Sequence, residues 1–141
     1  MLTLPAGTGT YVLVLRSAGS RVIRIGCLGR LHLHPGYYGY VGSAFGPGGL
    51  RARVEHHTHH AVQPRWHIDY LRRHTRLEEV WYCRLRCEHE CASALAAQPG
   101  VAVAMPGFGS SDCRCRAHLF WFGERPLLPE CLRGFRPAVV H

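Results

Sequence analysis

Apolar and polar positions follow a strand rhythm at the start of the chain and a helix rhythm further on. Tyr11-Val-Leu-Val-Leu15 is a continuous β-rich apolar run, and Arg21-Val-Ile-Arg-Ile25 follows it. Ser17-Ala-Gly-Ser20 between them has hairpin-turn composition. His34-Pro-Gly36 breaks the chain again, and Tyr37-Tyr-Gly-Tyr-Val41 reads as a third strand. The opening pattern therefore predicts a small antiparallel meander. Gly46-Pro-Gly-Gly49 is a loop that opens a helix near Leu50 and runs toward Pro64. A second helix is predicted over Trp66 to His74, with Ile68 and Leu71 inward. Val80 to Leu85 reads as a strand and Cys87 to Ala97 as a helix stopped by Pro99-Gly100. His118-Leu-Phe-Trp-Phe122 is a last apolar strand. The expected fold class is α/β of the α+β kind, a small and mostly antiparallel sheet flanked by helices. Residues 1–123 form the expected domain, and 124–141, with three Pro and three Arg after Glu124, form a loosely ordered tail.

Length and composition narrow this picture. A chain of 141 residues with 47% apolar residues is long enough for one cored domain and too short for two ordinary ones. No apolar run approaches the roughly 20 residues of a membrane helix, and the start lacks a signal-peptide pattern, so the cytoplasm is the expected location. Seventeen basic residues against nine acidic give a formal net charge of +8. All of the basic residues are Arg, whose planar fork grips phosphate bidentately. That balance points to a polyanion, most simply DNA met through its phosphate backbone.

Candidate chemistry lies on the first predicted helix. Arg53, His56, His57 and His60 fall at i, i+3, i+4 and i+7 and so share a face. His56 to His60 reads as a transition-metal site, a phosphate-facing patch or a solvated face. Asp69 is read as orienting a histidine or capping a helix. The seven Cys suggest a second chemistry. Cys113, Cys115 and His118, with Cys91, could complete a tetrahedral Zn2+ site. Buried free thiols and a redox role are the alternatives, and Cys83, Cys87 and Cys91 also fit plain packing on a helix.

Gly9-Thr10-Tyr11 opens the first strand and Tyr40-Val41-Gly42-Ser43-Ala44 ends the third. These resemble the two signatures of the GIY-YIG nuclease superfamily, and Arg53, His57, His67 and Glu90 follow in the order of that family. Trp66-His-Ile-Asp-Tyr-Leu71 and Gly107-Phe-Gly-Ser-Ser-Asp-Cys-Arg-Cys-Arg-Ala-His-Leu119 look like its Uri-type subgroup. Two departures are visible: 28 residues separate Tyr11 from Tyr40, far more than the family's usual spacing, and the chain has no Asn to end the core. The role of that Asn is missing or falls to Ser111 or Asp112.

The resemblance implies hydrolysis of a phosphodiester in DNA, as in repair. A Tyr hydroxyl, from Tyr11 or Tyr40, would position or deprotonate water. Tyrosine is a poor base unless a cation lowers its pKa, and Arg53 is the implied cation and phosphate ligand. His57 or His67 would carry protons. Glu90, with Glu88 as its rival, would hold a Mg2+ or Mn2+ ion. The reading of another class is a nucleic-acid-binding module that keeps the fold without the chemistry. A third is a zinc-stabilised interaction protein.

Overall fold

The computed structural model describes residues 2–59, 62–108, 118–128, 132 and 134–140. In chain order its elements are strands β1 (Leu2–Thr3), β2 (Gly9–Ser17) and β3 (Arg21–Ile25), a 3-10 turn (Gly26–Leu28), β4 (Gly29–Leu33), β5 (Gly36–Ala44), helices α1 (Gly49–Thr58) and α2 (His67–Arg72), β6 (Arg76–Cys83), α3 (Glu88–Ala96), and strands β7 (Ala102–Val103), β8 (Leu119–Phe122), β9 (Arg136–Pro137) and β10 (Val139–Val140). The architecture is α+β, as the sequence predicts. A six-stranded antiparallel sheet in the order β7-β8-β5-β2-β6-β9 carries the three helices. None of the described helices is long and apolar enough to cross a membrane.

Strand β2 is central because its sequence demands cover on both faces. Tyr11, Leu13 and Leu15 join one core cluster, while Val12 and Val14 join the other. A strand buried on both sides reads as a continuous apolar run. The first face is covered by Leu50 and Val54 of α1, Ile68 and Leu71 of α2, and Phe108. The second is covered by Cys91, Ala92 and Leu95 of α3 together with Leu128 and Leu132.

Two expectations are corrected here. The meander does not form: β3 pairs with β4, from Arg21↔Leu33 to Ile25↔Gly29, and β2 pairs directly with β5, from Gly9↔Ala44 to Ser17↔Gly36. The reason is in the burial rhythm. Both β3 and β4 alternate exposed and buried residues, so the ribbon they form has one wet face and suits a cover rather than a sheet centre. Its Ile23, Ile25, Leu31 and Leu33 pack onto the first face of the sheet. The expected loose tail is also corrected for its described part. β9 pairs with β6, β10 pairs with β1, and Leu128 and Leu132 are buried in the second core.

Candidate functional site

The two tyrosine signatures meet across one register. Tyr11 on β2 stands opposite Gly42 on β5. A Cβ at Gly42 would overlap the ring and hydroxyl of Tyr11, so only glycine lets that ring cross the neighbouring strand. Tyr40, two residues earlier on β5, projects to the same face, and the two rings lie 6.3 Å apart.

Helix α1 delivers the next groups. Its first residue, Gly49, has φ +60°, and a Cβ there would overlap the carbonyls of Ala6 and Gly7. The Leu50 N–H donates to the Gly7 carbonyl at 2.9 Å, which pins the helix start beside β2. Leu50, Val54 and His57 form its buried stripe. The stripe ends with His57 Nε2 2.7 Å from the Tyr11 hydroxyl and the His57 ring 6.2 Å from that of Tyr40. Buried Arg72 holds the far end of the helix by donating Nε–H to the His57 carbonyl at 2.7 Å.

Burial decides the protonation of this cluster. It pushes Tyr11 well up and Tyr40 up to about 12, and it lowers His57 to about 3. Arg53 does act on both tyrosines in the expected downward direction, but desolvation outweighs it. A cation-lowered tyrosine is therefore not what the fold builds. It builds neutral Tyr11, Tyr40 and His57. With both groups neutral, the Tyr11 O–H can donate to His57 Nε2 when the ring carries its proton on Nδ1. Two buried atoms in the cluster, Arg53 Nε and His57 Nδ1, have no hydrogen-bond partner among the described residues.

The charges sit at the rim. Arg53 is half-buried and stacks on Trp66 at 3.9 Å, with Arg65 on the same ring at 5.0 Å. Asp69 performs both of the roles expected of it. Its Oδ2 accepts from the backbone N–H groups of Arg65 and Trp66, capping α2, and its Oδ1 accepts from His56 Nε2 at 2.9 Å. Those donors hold its carboxyl below the usual range despite burial. His56, His57 and Asp69 bring ligand atoms within 4.8 Å of one another, a two-histidine, one-carboxylate set. Such a set suits a transition ion better than Mg2+, which prefers oxygen, and its carboxylate is already occupied by three donors.

The remaining candidates divide. His67 is half-buried at the start of α2 with its ring 5.5 Å from Phe108, which in turn packs 6.0 Å from Tyr40. Glu90 is exposed, and its charge reaches Cys87 rather than the tyrosines. The acid whose charge reaches Tyr40 and His118 is half-buried Glu88. Helix geometry explains the difference: Glu88, Cys91, Ala92 and Leu95 form the i, i+3, i+4, i+7 stripe that packs inward, and Glu90 lies nearly opposite. Of the expected zinc ligands, Cys113 and Cys115 lie outside the described residues, as do Ser111, Asp112 and His60. Cys91 is buried and its thiol is pushed up; His118 is buried as well. Cys83 and Cys87 are not on one helix: the first ends β6, the second precedes α3, and their sulfurs are 3.1 Å apart.

Over residues 10–139 the sequence matches the family described as Domain of unknown function DUF123. The chain belongs to the DUF123 family. No curated protein matches it, and no solved structure matches it.

Two positioning residues of this DUF123 chain escape the sequence reading. Thr10 donates Oγ1–H to the Leu85 carbonyl and accepts from the Cys87 N–H, which ties the start of α3, and so Glu88, to the strand of Tyr11. Arg72 donates to the backbone carbonyls of His57 and Thr75. Neither leaves a spacing signal, because each bonds main-chain atoms of any residue type.

Proposed function

We propose that this chain is a GIY-YIG-type endonuclease that hydrolyses phosphodiester bonds in DNA with a divalent ion, Mg2+ or Mn2+, and that it serves repair in the cytoplasm. The observation that carries the reading is the convergence of Tyr11, Tyr40, Arg53 and His57, drawn from two strands and a helix, around one hydrogen-bonded Tyr–His pair.

In this reading Arg53 grips the phosphate. Its buried, unpartnered Nε is a donor that a phosphate oxygen would satisfy. Attack by water proceeds with its proton passing to the Tyr11 oxygen while the Tyr11 proton passes to His57 Nε2, so no standing tyrosinate is needed. The negative charge of a bound phosphodiester raises the proton affinity of His57 at the moment the relay uses it. Tyr40 orients the water from the second strand. Glu88, a half-buried oxygen donor at the start of α3 whose charge reaches Tyr40, fits a hard divalent ion better than exposed Glu90 does. When bound, such an ion compensates charge on the phosphate and leaving oxygen.

The second reading is a nucleic-acid-binding module without chemistry. It is favoured by burial: Tyr11 is 0%, Tyr40 6% and His57 1% exposed, so only the rim meets solvent. A plasmid-nicking assay with and without Mg2+ separates the two. The nuclease nicks only with the ion. Arg53→Ala slows it about 10²–10³-fold, the loss expected for one transition-state donor. Arg51→Ala leaves the rate near wild type, because Arg51 spends its guanidinium on the Leu4 carbonyl. DNA binding with no nicking at all would favour the silent module, and equal effects at Arg51 and Arg53 would leave bulk charge as the whole role of both.

A further inference from the structure

The ribbon β3–β4 fills most of the stretch between the two tyrosines, and its outward face has a peculiar charge pattern. Its inward residues, Ile23, Ile25, Leu31 and Leu33, are fixed in the core. The outward positions are then Val22 opposite His32 and Arg24 opposite Arg30. Arg24 and Arg30 are thus directly paired across the ribbon, both exposed, and like charges placed so are destabilising. No carboxylate relieves them: among the described residues the ion pairs involve His56, Arg76 and Arg125 only. Nor does the local sequence offer one, since the first acid of the chain is Glu55, after six arginines. A fold that sets two exposed arginines directly opposite each other, with no carboxylate among the described residues in ion-pair range, is complementary to an anion from outside.

We propose that this outward ribbon face is a second DNA contact, which grips the phosphate backbone of a duplex away from the tyrosine cluster. The proposal rests on the nucleic-acid reading of the tyrosine site and deepens it. Three features favour a duplex. The ribbon covers the same face of the sheet as Tyr11 and Tyr40, with α2 packed against it, so one extended ligand can meet both. Five residues per strand at about 3.3 Å each give the ribbon a length of about 16 Å, enough to meet more than one phosphate. A two-stranded ribbon is also of a width that the major groove, about 12 Å across, admits. Exposed Val22 is the lone large apolar side chain on this face, too little to insert in a lipid surface.

The test is a set of salt titrations of the full chain on a duplex oligonucleotide, followed by fluorescence anisotropy. Each neutralised phosphate contributes about 0.9 to the slope of log affinity against log salt, so Arg24→Ala with Arg30→Ala should flatten the slope by about 1.8. Arg76→Ala with Arg136→Ala removes the same charge from other exposed positions and should leave the slope nearly unchanged. A single change, Arg30→Glu, gives Arg24 an opposite partner. It should raise the melting temperature while weakening DNA binding, a pairing of effects that loss of fold would not produce. Equal flattening by both double variants, or an unaltered slope in the ribbon variant of a chain that binds and nicks DNA, would overturn the ribbon contact alone. A wild-type chain that ignores DNA but binds phosphatidylserine vesicles would overturn the ribbon contact and the nucleic-acid reading together.

Discussion

The two faces of the central sheet are equally buried, yet they solve burial differently. Behind Val12 and Val14 the second face is packed with Cys91, Ala92, Leu95, Phe120 and Leu132, side chains that need little beyond contact. Before Tyr11 and Tyr40 the first face is packed with polar-tipped rings that must find partners, and they find one another. Both faces drive their titratable groups toward neutrality, since burial raises the tyrosines and the Cys91 thiol and lowers His57. What differs is the rim. Around the tyrosine face the charges of Arg53, Asp69 and Glu88 reach the buried rings, whereas Arg125 and Glu79, which border the second face, pair with each other and with half-buried Tyr37 and Trp81. The comparison teaches that the tyrosine site is a neutral interior acted on by charges at its edge, not a set of buried ions.

That contrast can be broken most sharply at the rim. Glu88→Gln keeps shape and removes charge, and it should lower Mg2+-dependent nicking about 10²–10³-fold, a loss of several kcal/mol of transition-state stabilisation, while DNA binding persists. Glu90→Gln should nick at nearly the wild-type rate; the reverse ranking would return the ion to Glu90. On the opposite face the effect should move from rate to stability. Leu95→Ala, at a fully buried position, should cost about 2–5 kcal/mol in urea unfolding and leave the nicking rate per folded molecule unchanged. A rate loss matching the Arg53→Ala variant would erase the division between the faces.

The smallest expected effect is a slope. The folded-state pKa of His57, about 3, lies below its ordinary value near 6.5, so the unfolded chain takes up a proton that the folded chain refuses. The stability contributed by neutral His57 is therefore complete above pH ~6.5 and is lost as pH falls toward ~3, at up to about 1.4 kcal/mol per pH unit. Unfolding curves for wild type and His57→Gln across that window should differ in slope by up to this amount, with the variant flatter. Parallel curves would mean that the ring is already reached by solvent.

Much of this was legible in the residues. The continuous apolar run of β2 announces a strand covered on both sides, and Arg53 with His57 at i+4 announces a shared helix face that does meet the tyrosines. The alternation of β3 was legible too, but its partner was not, because Arg30-Leu-His-Leu33 has only two apolar residues, set between polar ones. Strands of two residues, such as β9 and β10, have no periodicity to read. The half-buried position of Glu88 could have been found by extending the stripe of Cys91, Ala92 and Leu95 back by one turn. The upward shift of the tyrosines could not, since the depth of a hydroxyl follows from what three distant segments lay over it.

The steric fit between Tyr11 and Gly42 has a consequence for how such chains diverge. Because the ring of one occupies the place where the Cβ of the other would stand, the two signatures should change as a unit rather than as separate motifs. Alanine becomes tolerable at 42 only in a lineage where residue 11 has already lost its ring; removing the hydroxyl alone, as in Tyr11→Phe, is not enough, because ring carbons also fill the space. The order of substitutions is thereby constrained. A relative that has retired its tyrosine is free to drift at the glycine, whereas a relative with alanine at the glycine and tyrosine intact should not be found.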